Sequence, residues 1–366
     1  MKRPLRAWCL DALLAVGAVV VALVCGELGL RLFHPQPLGV WHQDRDGLAL
    51  HWPGLVTYLP QFGQAVSINS AGMRDREHTV PKVNGMWRIL ILGDSFMEAL
   101  QVPFDASFPS MLERELGKTT QRPVEVVNAS VSGWGTDDEL MYLQKYGASW
   151  EPDLILIAIT LHNDLKDNLR ERFHKMENGA LTERQRTPLS AQEFRLLELK
   201  GFLASRSHAY QLFTRYRQLR ERSVEAGELN SHVVDLFRPT TSPELARGVE
   251  ITRLLLKRIF LIAVEQKAKV VVVLLPLTVQ LSGEVSDRPQ RLLRGVAQGE
   301  AIEVIDLLPQ FREWTAAGGP SLYLEHDGHW SESGHGVAAG VVASELVRRG
   351  FVKTVTNAAY HRITEP

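Results

Sequence analysis

Five short, mostly apolar runs constrain this chain more than any other feature. They lie at 88–92, 124–127, 154–160, 270–275 and 302–306. Runs of this length, rich in Val, Ile and Leu and bounded by turn residues, predict strands buried on both faces. Between them lie segments with helical period at 108–116, 137–146 and 250–266, and a closing helix at 333–349 is ended by Gly350. Asp137, Asp138 and Glu139 fall in a first helical turn, where the helix dipole favours negative charge. Strands alternating with helices predict an α/β fold: a five-stranded, mostly parallel sheet covered by helices on both faces.

A chain of 366 residues has room for one large domain with additions. A net charge of −1 gives no case for a nucleic-acid partner or a polybasic lipid clamp. Cys9 and Cys25 are the only cysteines, so the rest of the chain holds no disulfide framework and no thiolate metal site. Lys2, Arg3 and Arg6 precede an apolar run from Ala12 to Cys25, which Gly26, Leu28, Gly29, Leu30 and Leu32 extend. Basic residues before an apolar segment predict a cytoplasmic N-terminus with everything downstream exported. Residues 1–33 are read as an uncleaved transmembrane anchor, with a cleaved signal peptide as the rival; apolar character beyond Gly26 favours the anchor. In either case the working domain is extracytoplasmic, in the periplasm or at the cell surface.

Residues 34–85, rich in Pro, Gly, His and aromatics, predict irregular structure and short strands packed on the main domain at 86–352; residues 353–366 form a tail. Arg74, beside Asp75, is read as a structural ion-pair partner before a substrate ligand. Between about 166 and 245 the alternation stops. The stretch is charged, has helical period and carries Phe202, Tyr210, Phe213 and Tyr216. It predicts a helical insertion leaving the end of the third strand. Two readings are open: a lid that shapes the acyl or acceptor pocket, or a packing elaboration or surface for another membrane protein.

Chemistry-bearing residues fall at the strand ends, where open α/β sheets build their sites. Ser95 follows the first strand at a helix entry, as a nucleophile or only as a helix cap. Gly93 before it is expected to supply backbone angles that a side chain forbids. Gly133 follows the second strand, Asn163 the third, and Asp327 and His329 come after the fifth. A serine hydroxyl needs a base, and an imidazole titrates near neutrality. His329 fills that role, with Asp327 holding its ring. The N–H of Ser95, the N–H of Gly133 and the Asn163 amide are suitable donors to an oxyanion, and glycine at 133 lets the backbone come close. Among rivals, His326 has no acid two or three places before it. His335 lies in the closing helix with a surface or packing role, and His162 either lines the pocket or is structural. Asp94 and Asp164 read as hydrogen-bond formers that fix loops.

Four blocks carry a resemblance. Gly93-Asp94-Ser95-Phe96, Asn128-Ala129-Ser130-Val131-Ser132-Gly133, Asn163-Asp164 and Asp327-Gly328-His329-Trp330 resemble, in order, the blocks of the SGNH (GDSL-like) hydrolase superfamily. The resemblance covers roughly 86–350. It implies a three-layer flavodoxin-like fold, hydrolysis or transfer of acyl groups through an acyl-Ser95, and neither a metal nor an organic cofactor. Two departures stand out. Leu161 replaces the usual glycine of the asparagine block. His326 occupies the usual place of the acid, so that Asp327 lies only two residues before His329. That spacing resembles a membrane-associated branch that includes proteins acetylating exopolysaccharides. The expected activity is that of an extracytoplasmic serine esterase on an O-acylated, foremost O-acetylated, glycan or envelope polymer. An O-acyltransferase with the same residues is the alternative. The third reading is a catalytically silent module that binds glycan or a membrane partner.

Overall fold

The apolar runs assemble into one parallel sheet. The computed structural model describes residues 5–352, apart from 121, 162, 187–188 and 222–232. The described chain begins with helix α1 (Leu5–Phe33). Its stretch Leu10–Phe33, 24 residues, is long and apolar enough to cross a membrane, and its apolar window is wholly unburied. Two antiparallel pairs follow: β1 (Trp41–Gln43) with β2 (Ala49–His51), and β3 (Val56–Leu59) with β4 (Gln64–Ser67).

The main sheet consists of β5 (Trp87–Leu92), β6 (Val124–Asn128), β7 (Leu154–Thr160), β10 (Lys269–Leu275) and β11 (Glu303–Asp306). The intervening β8 (His174–Glu177) and β9 (Ala180–Glu183) form a separate hairpin. The sheet order is β11-β10-β7-β5-β6 with every pair parallel. This is the flavodoxin-like order, which reverses between β5 and β7 and opens a crevice at their carboxyl ends.

Every residue of β5 and β7 is buried, and alternate side chains serve opposite faces. On one face Leu90, Leu92, Ile155, Ile157 and Val272 meet Leu140 and Leu143 of helix Thr136–Tyr146, and Ile251, Leu255 and Ile259 of helix Pro243–Glu265. On the other, Ile89, Ile91, Leu156, Ala158 and Val273 meet Phe108, Leu112 and Leu116 of helix Phe108–Thr119, and Ala338, Val342 and Leu346 of helix Glu332–Arg348. The result is the expected three-layer sandwich of helix, sheet and helix.

Between β7 and β10 the structure adds to what the sequence predicts. Helices Ala191–Arg206 and His208–Glu221 are present, but the β8–β9 hairpin precedes them. Its two-residue turn is Asn178-Gly179, both with positive φ (50° and 77°), which suits the twist of a tight hairpin. Helix Pro243–Glu265 begins earlier than 250, because Ser242 Oγ caps it by accepting the Leu245 N–H at 3.0 Å and Pro243 opens its first turn. The two insertion helices pack towards the N-terminal segment. Gly39 N–H donates to Ala204 O at 2.9 Å, and Glu27 of α1 accepts the His208 and Ala209 N–H groups, both at 2.9 Å. Phe202, Phe213 and Tyr216 remain exposed.

Candidate active site

The turn after β5 is built around a close approach. A Cβ on Gly93 would lie 2.7 Å from Met97 Cγ and 3.1 Å from Ala158 Cβ. The sequence reading gave Gly93 a conformational role, but its φ is not in the left-handed region; room is what the glycine provides. Asp94, not Ser95, caps the helix Ser95–Glu98, with Oδ1 accepting the Phe96 N–H at 3.0 Å. Ser95 is thereby released from the capping role and occupies the first helical position. Asp94 is fully buried. Burial raises its carboxyl to about 6, against the Phe96 N–H, the Thr160 side chain, the charge of His329 and the Asn163 side chain, which pull it down.

The loop after β6 stays zipped to the end of β5. Ala129 N–H donates to Ile91 O at 3.0 Å and Val131 N–H to Gly93 O at 3.2 Å. Asn128 ties it further, its N–H donating to Asp75 Oδ2 (2.8 Å) and its amide to Met97 O (2.9 Å). Trp134 N–H then donates to Val131 O at 3.1 Å and closes a turn over 131–134, with Gly133 at φ 79°. Positive φ at the third residue but not at Ser132 makes this a type II turn. A Cβ at 133 would meet no protein atom within 4 Å, so this glycine serves the backbone angle rather than clearance. The reasons given for Gly93 and Gly133 from sequence are thus exchanged.

At the end of β7, Asp164 Oδ2 accepts the Thr160 N–H at 2.7 Å and closes the turn. Asn163 sits at the cap of the short helix Asp164–Asn168, and its amide donates to Asp167 Oδ2 at 3.0 Å. Asp164 and Glu139 are buried beside Asp94; burial first, then the neighbouring carboxylates, push both well above the usual carboxylate range. His162 lies outside the described residues.

His329 comes from a folded-back loop after helix Leu308–Ala316, which itself follows β11. Tyr323 and Trp330 form an antiparallel bridge, Leu324 N–H donates to His329 O at 2.8 Å, and Gly328 takes φ 79° between them. Trp330 anchors the loop: it is fully buried, with ring centroids 5.4 Å from Phe96 and 5.5 Å from Phe311. His329 Nε2 lies 2.7 Å from Ser95 Oγ, and Nδ1 is hydrogen-bonded to the Asp327 carboxylate. The Phe96 ring packs on the imidazole at 4.9 Å between centroids. His326 is exposed. His335 is buried, its Nδ1 accepts the Phe108 N–H at 3.2 Å, and burial, with Arg74 and His329 nearby, lowers it to about 3.

These residues converge on one pocket of about 570 Å³. Ser95, Gly133, Asn163, Asp327 and His329 all line it, although they are spread over more than two hundred positions. Its lining includes apolar Pro276, Leu277, Val279 and Val233 and polar Asp167, Arg170 and Thr278. Of the described insertion residues only Val233 joins Asp167 and Arg170 there. Sequence reasoning passed over Glu98, in the helical turn that begins at Ser95, and His51, which meet at 2.5 Å. Arg74, read from the sequence as a structural ion-pair partner, is buried near the carboxylates of Glu98 and Asp75 and donates to main-chain carbonyls, Glu98 O at 2.8 Å, Ala99 O, and Val102 O at 2.6 Å.

Comparison with known proteins adds the following. No family model matches the chain. An arylesterase of Vibrio mimicus is 35% identical over 79 residues, which is 22% of this chain and 39% of that protein. The chain therefore matches about two-fifths of that relative's length. Among solved structures, a lipase/acylhydrolase from Enterococcus faecalis aligns with 74% of this chain and 100% of its own at 16% identity and a TM-score of 0.39. The acetyl xylan esterase AlAXEase aligns with 71% of this chain and 100% of its own at 12% identity and a TM-score of 0.41.

Proposed function

We propose that this protein is a serine esterase that cleaves carboxylic esters through an acyl-Ser95 intermediate. The observation that carries the reading is the continuous chain Asp327–His329–Ser95, at 2.7 Å between Nε2 and Oγ, opening on a pocket beside the Ser95 helix start, Gly133 and Asn163. In the first step Ser95 Oγ attacks the acyl carbon as its proton passes to His329 Nε2. Asp327 accepts from Nδ1, keeps the ring oriented and stabilises the imidazolium. The tetrahedral oxyanion takes hydrogen bonds from the N–H groups of Ser95 and Gly133 and from the Asn163 amide. Collapse breaks the ester C–O bond, and His329 returns the proton to the departing alcohol. Water then attacks the acyl carbon with His329 again as base, releasing the acid and restoring the serine hydroxyl.

The side chains of Asp327 and His329 are 32% and 24% exposed, so water reaches the base. This sets hydrolysis ahead of acyl transfer, which needs the intermediate shielded from water. We place the enzyme outside the cytoplasm, held by α1, with an O-acetylated glycan or envelope polymer as substrate. The unburied apolar helix supports the anchor. A lining that mixes polar (Asp167, Arg170, Thr278) and apolar (Pro276, Leu277, Val279) groups suits a hydroxyl-rich alcohol carrying a small acyl group. The test is turnover of p-nitrophenyl acetate and of an acetylated oligosaccharide by the wild type, Ser95→Ala and His329→Ala. Both variants are expected to fold and to lose turnover; equal activity in all three removes the mechanism.

A further inference from the structure

Glu98 has no part in the chemistry above, yet its carboxylate is the most heavily bonded group behind the nucleophile. It closes the one-turn helix that begins at Ser95 and is 1% exposed. Oε1 accepts from Trp41 Nε1 at 2.6 Å and meets His51 Nε2 at 2.5 Å, both side chains belonging to the β1–β2 pair. The other ring nitrogen of His51 faces Gly72 O at 3.2 Å. Oε2 accepts the Ser132 N–H at 3.2 Å and also the Ser132 hydroxyl. A buried carboxylate needs such donors to stay where it is. The place where two of them arise is the informative part.

Ser132 and Gly133 are the two central residues of the type II turn. In such a turn the peptide between the central residues can rotate by about half a revolution, converting type II to type I while the flanking chain stays in place. The Gly133 N–H belongs to that peptide. Its direction is therefore a separate conformational choice, not fixed by the path of the chain. Glu98 grips Ser132 by two atoms on the near side of this peptide.

We propose that Glu98 is a positioning residue for the oxyanion hole. It holds the 131–134 turn in the form that keeps the Gly133 N–H directed at the reacting carbonyl, and the Trp41–His51 hairpin holds Glu98. The inference rests on the esterase reading. It also ties two donors of the hole into one unit, because Ser95 and Glu98 share a single helical turn. Donors fixed before the substrate arrives need no reorganisation in the transition state. On this view the segment at 34–85 is part of the catalytic machinery, not a decoration on it.

The test compares kcat and KM of the wild type, Glu98→Gln and Ser132→Ala on p-nitrophenyl acetate and on its thionoester counterpart, whose sulfur is a weak hydrogen-bond acceptor. Folding is followed by circular dichroism and thermal melting. Glu98→Gln keeps the side-chain volume but must turn an N–H towards one pair of donors. It is expected to lower kcat by about 10²- to 10³-fold, the usual loss for one oxyanion donor, with little change in KM. The preference for ester over thionoester should shrink in parallel, a readout that general loosening of the fold does not move. Ser132→Ala, which leaves the Ser132 N–H bond in place, is expected to lose roughly 10-fold in kcat; it carries the test if Glu98→Gln does not fold. A folded Glu98→Gln with wild-type kcat and wild-type ester preference overturns the proposal, as does a loss confined to KM. For Ser132→Ala, an unchanged kcat does the same. A wild type that turns over no ester and takes no phosphonate on Ser95 overturns the esterase reading and this inference with it.

Discussion

At the scale of single residues, the site divides into groups that act and groups that hold them. Asp327 is the carboxylate hydrogen-bonded to the imidazole Nδ1 of His329. Asp327→Asn should therefore leave the fold intact and cut kcat by roughly 10⁴-fold, through the wrong ring tautomer; steady-state kinetics on p-nitrophenyl acetate checks this. Asp94 is a different case. Its carboxyl sits at about 6 in the folded protein against 3.8 when solvated, chiefly through burial. Between those two values the folded chain binds the extra proton, so this group adds stability as pH falls from about 6 to 4 and removes it as pH rises. Fully ionised, the buried carboxylate costs about 3 kcal/mol. Asp94→Asn keeps an oxygen for the Phe96 N–H and should raise Tm at pH 8 while leaving it nearly unchanged at pH 4. A lower Tm at pH 8 would show that the ionised group is stabilising.

The pocket-lining residues Ser95, Gly133 and Asn163 were legible as neighbours because each follows a strand, and parallel strands deliver their carboxyl ends to one edge; Asp327 and His329 reach the same pocket from the loop beyond helix Leu308–Ala316. Glu98 was not legible. Its partners Trp41 and His51 stand 57 and 47 positions earlier, in a segment without periodicity. Nor does a sequence tell whether a glycine is needed for space, as at 93, or for a positive φ, as at 133.

At the scale of elements, hydrophobic period found the five strands, since burial on two faces leaves a clear mark, and helices Phe108–Thr119, Thr136–Tyr146, Pro243–Glu265 and Glu332–Arg348, but not helices Arg288–Gly299 and Leu308–Ala316. It missed the β8–β9 hairpin, whose strands are half exposed, although Asn178-Gly179 is a strong turn signal in its own right. Helix Phe108–Thr119 shows how one element depends on another: its first N–H is accepted by His335 from the closing helix. His335 is lowered to about 3 from 6.5 by burial, so between those values the unfolded chain holds the extra proton and stability is lost as pH falls. This opposes the contribution of Asp94. His335→Gln, whose side-chain oxygen can still accept the Phe108 N–H, should show a shallower loss of stability between pH 6 and pH 4 in urea titrations. His335→Phe, leaving that buried N–H without a partner, should cost about 1–3 kcal/mol at neutral pH.

At the scale of the whole molecule, the strand order places the crevice between β5 and β7, and the N-terminal segment packs on the helix Ser95–Glu98 through Trp41, His51 and Arg74. Helix α1 is joined to this body through Glu27, which caps the corner at Ser207–Ala209, and through Arg31, which donates to Arg206 O at 2.6 Å. A chain beginning at Gly26 keeps these contacts, whereas one beginning at His34 loses them. The first should be soluble without detergent and as active as the full chain, and the second should melt at a lower temperature. Equal melting temperatures would mean that the corner is held by other contacts. The full chain should sediment with membranes and resist extraction by high salt.

All of this depends on a hydroxyl made reactive by residues that meet only in the folded chain. The most direct measurement is exposure of the folded protein to a fluorophosphonate, followed by mass spectrometry of its peptides. The account predicts a single adduct on Ser95, lost in His329→Ala and strongly slowed in Asp327→Asn. An unlabelled wild type, or an adduct on another serine with Ser95 untouched, would contradict it.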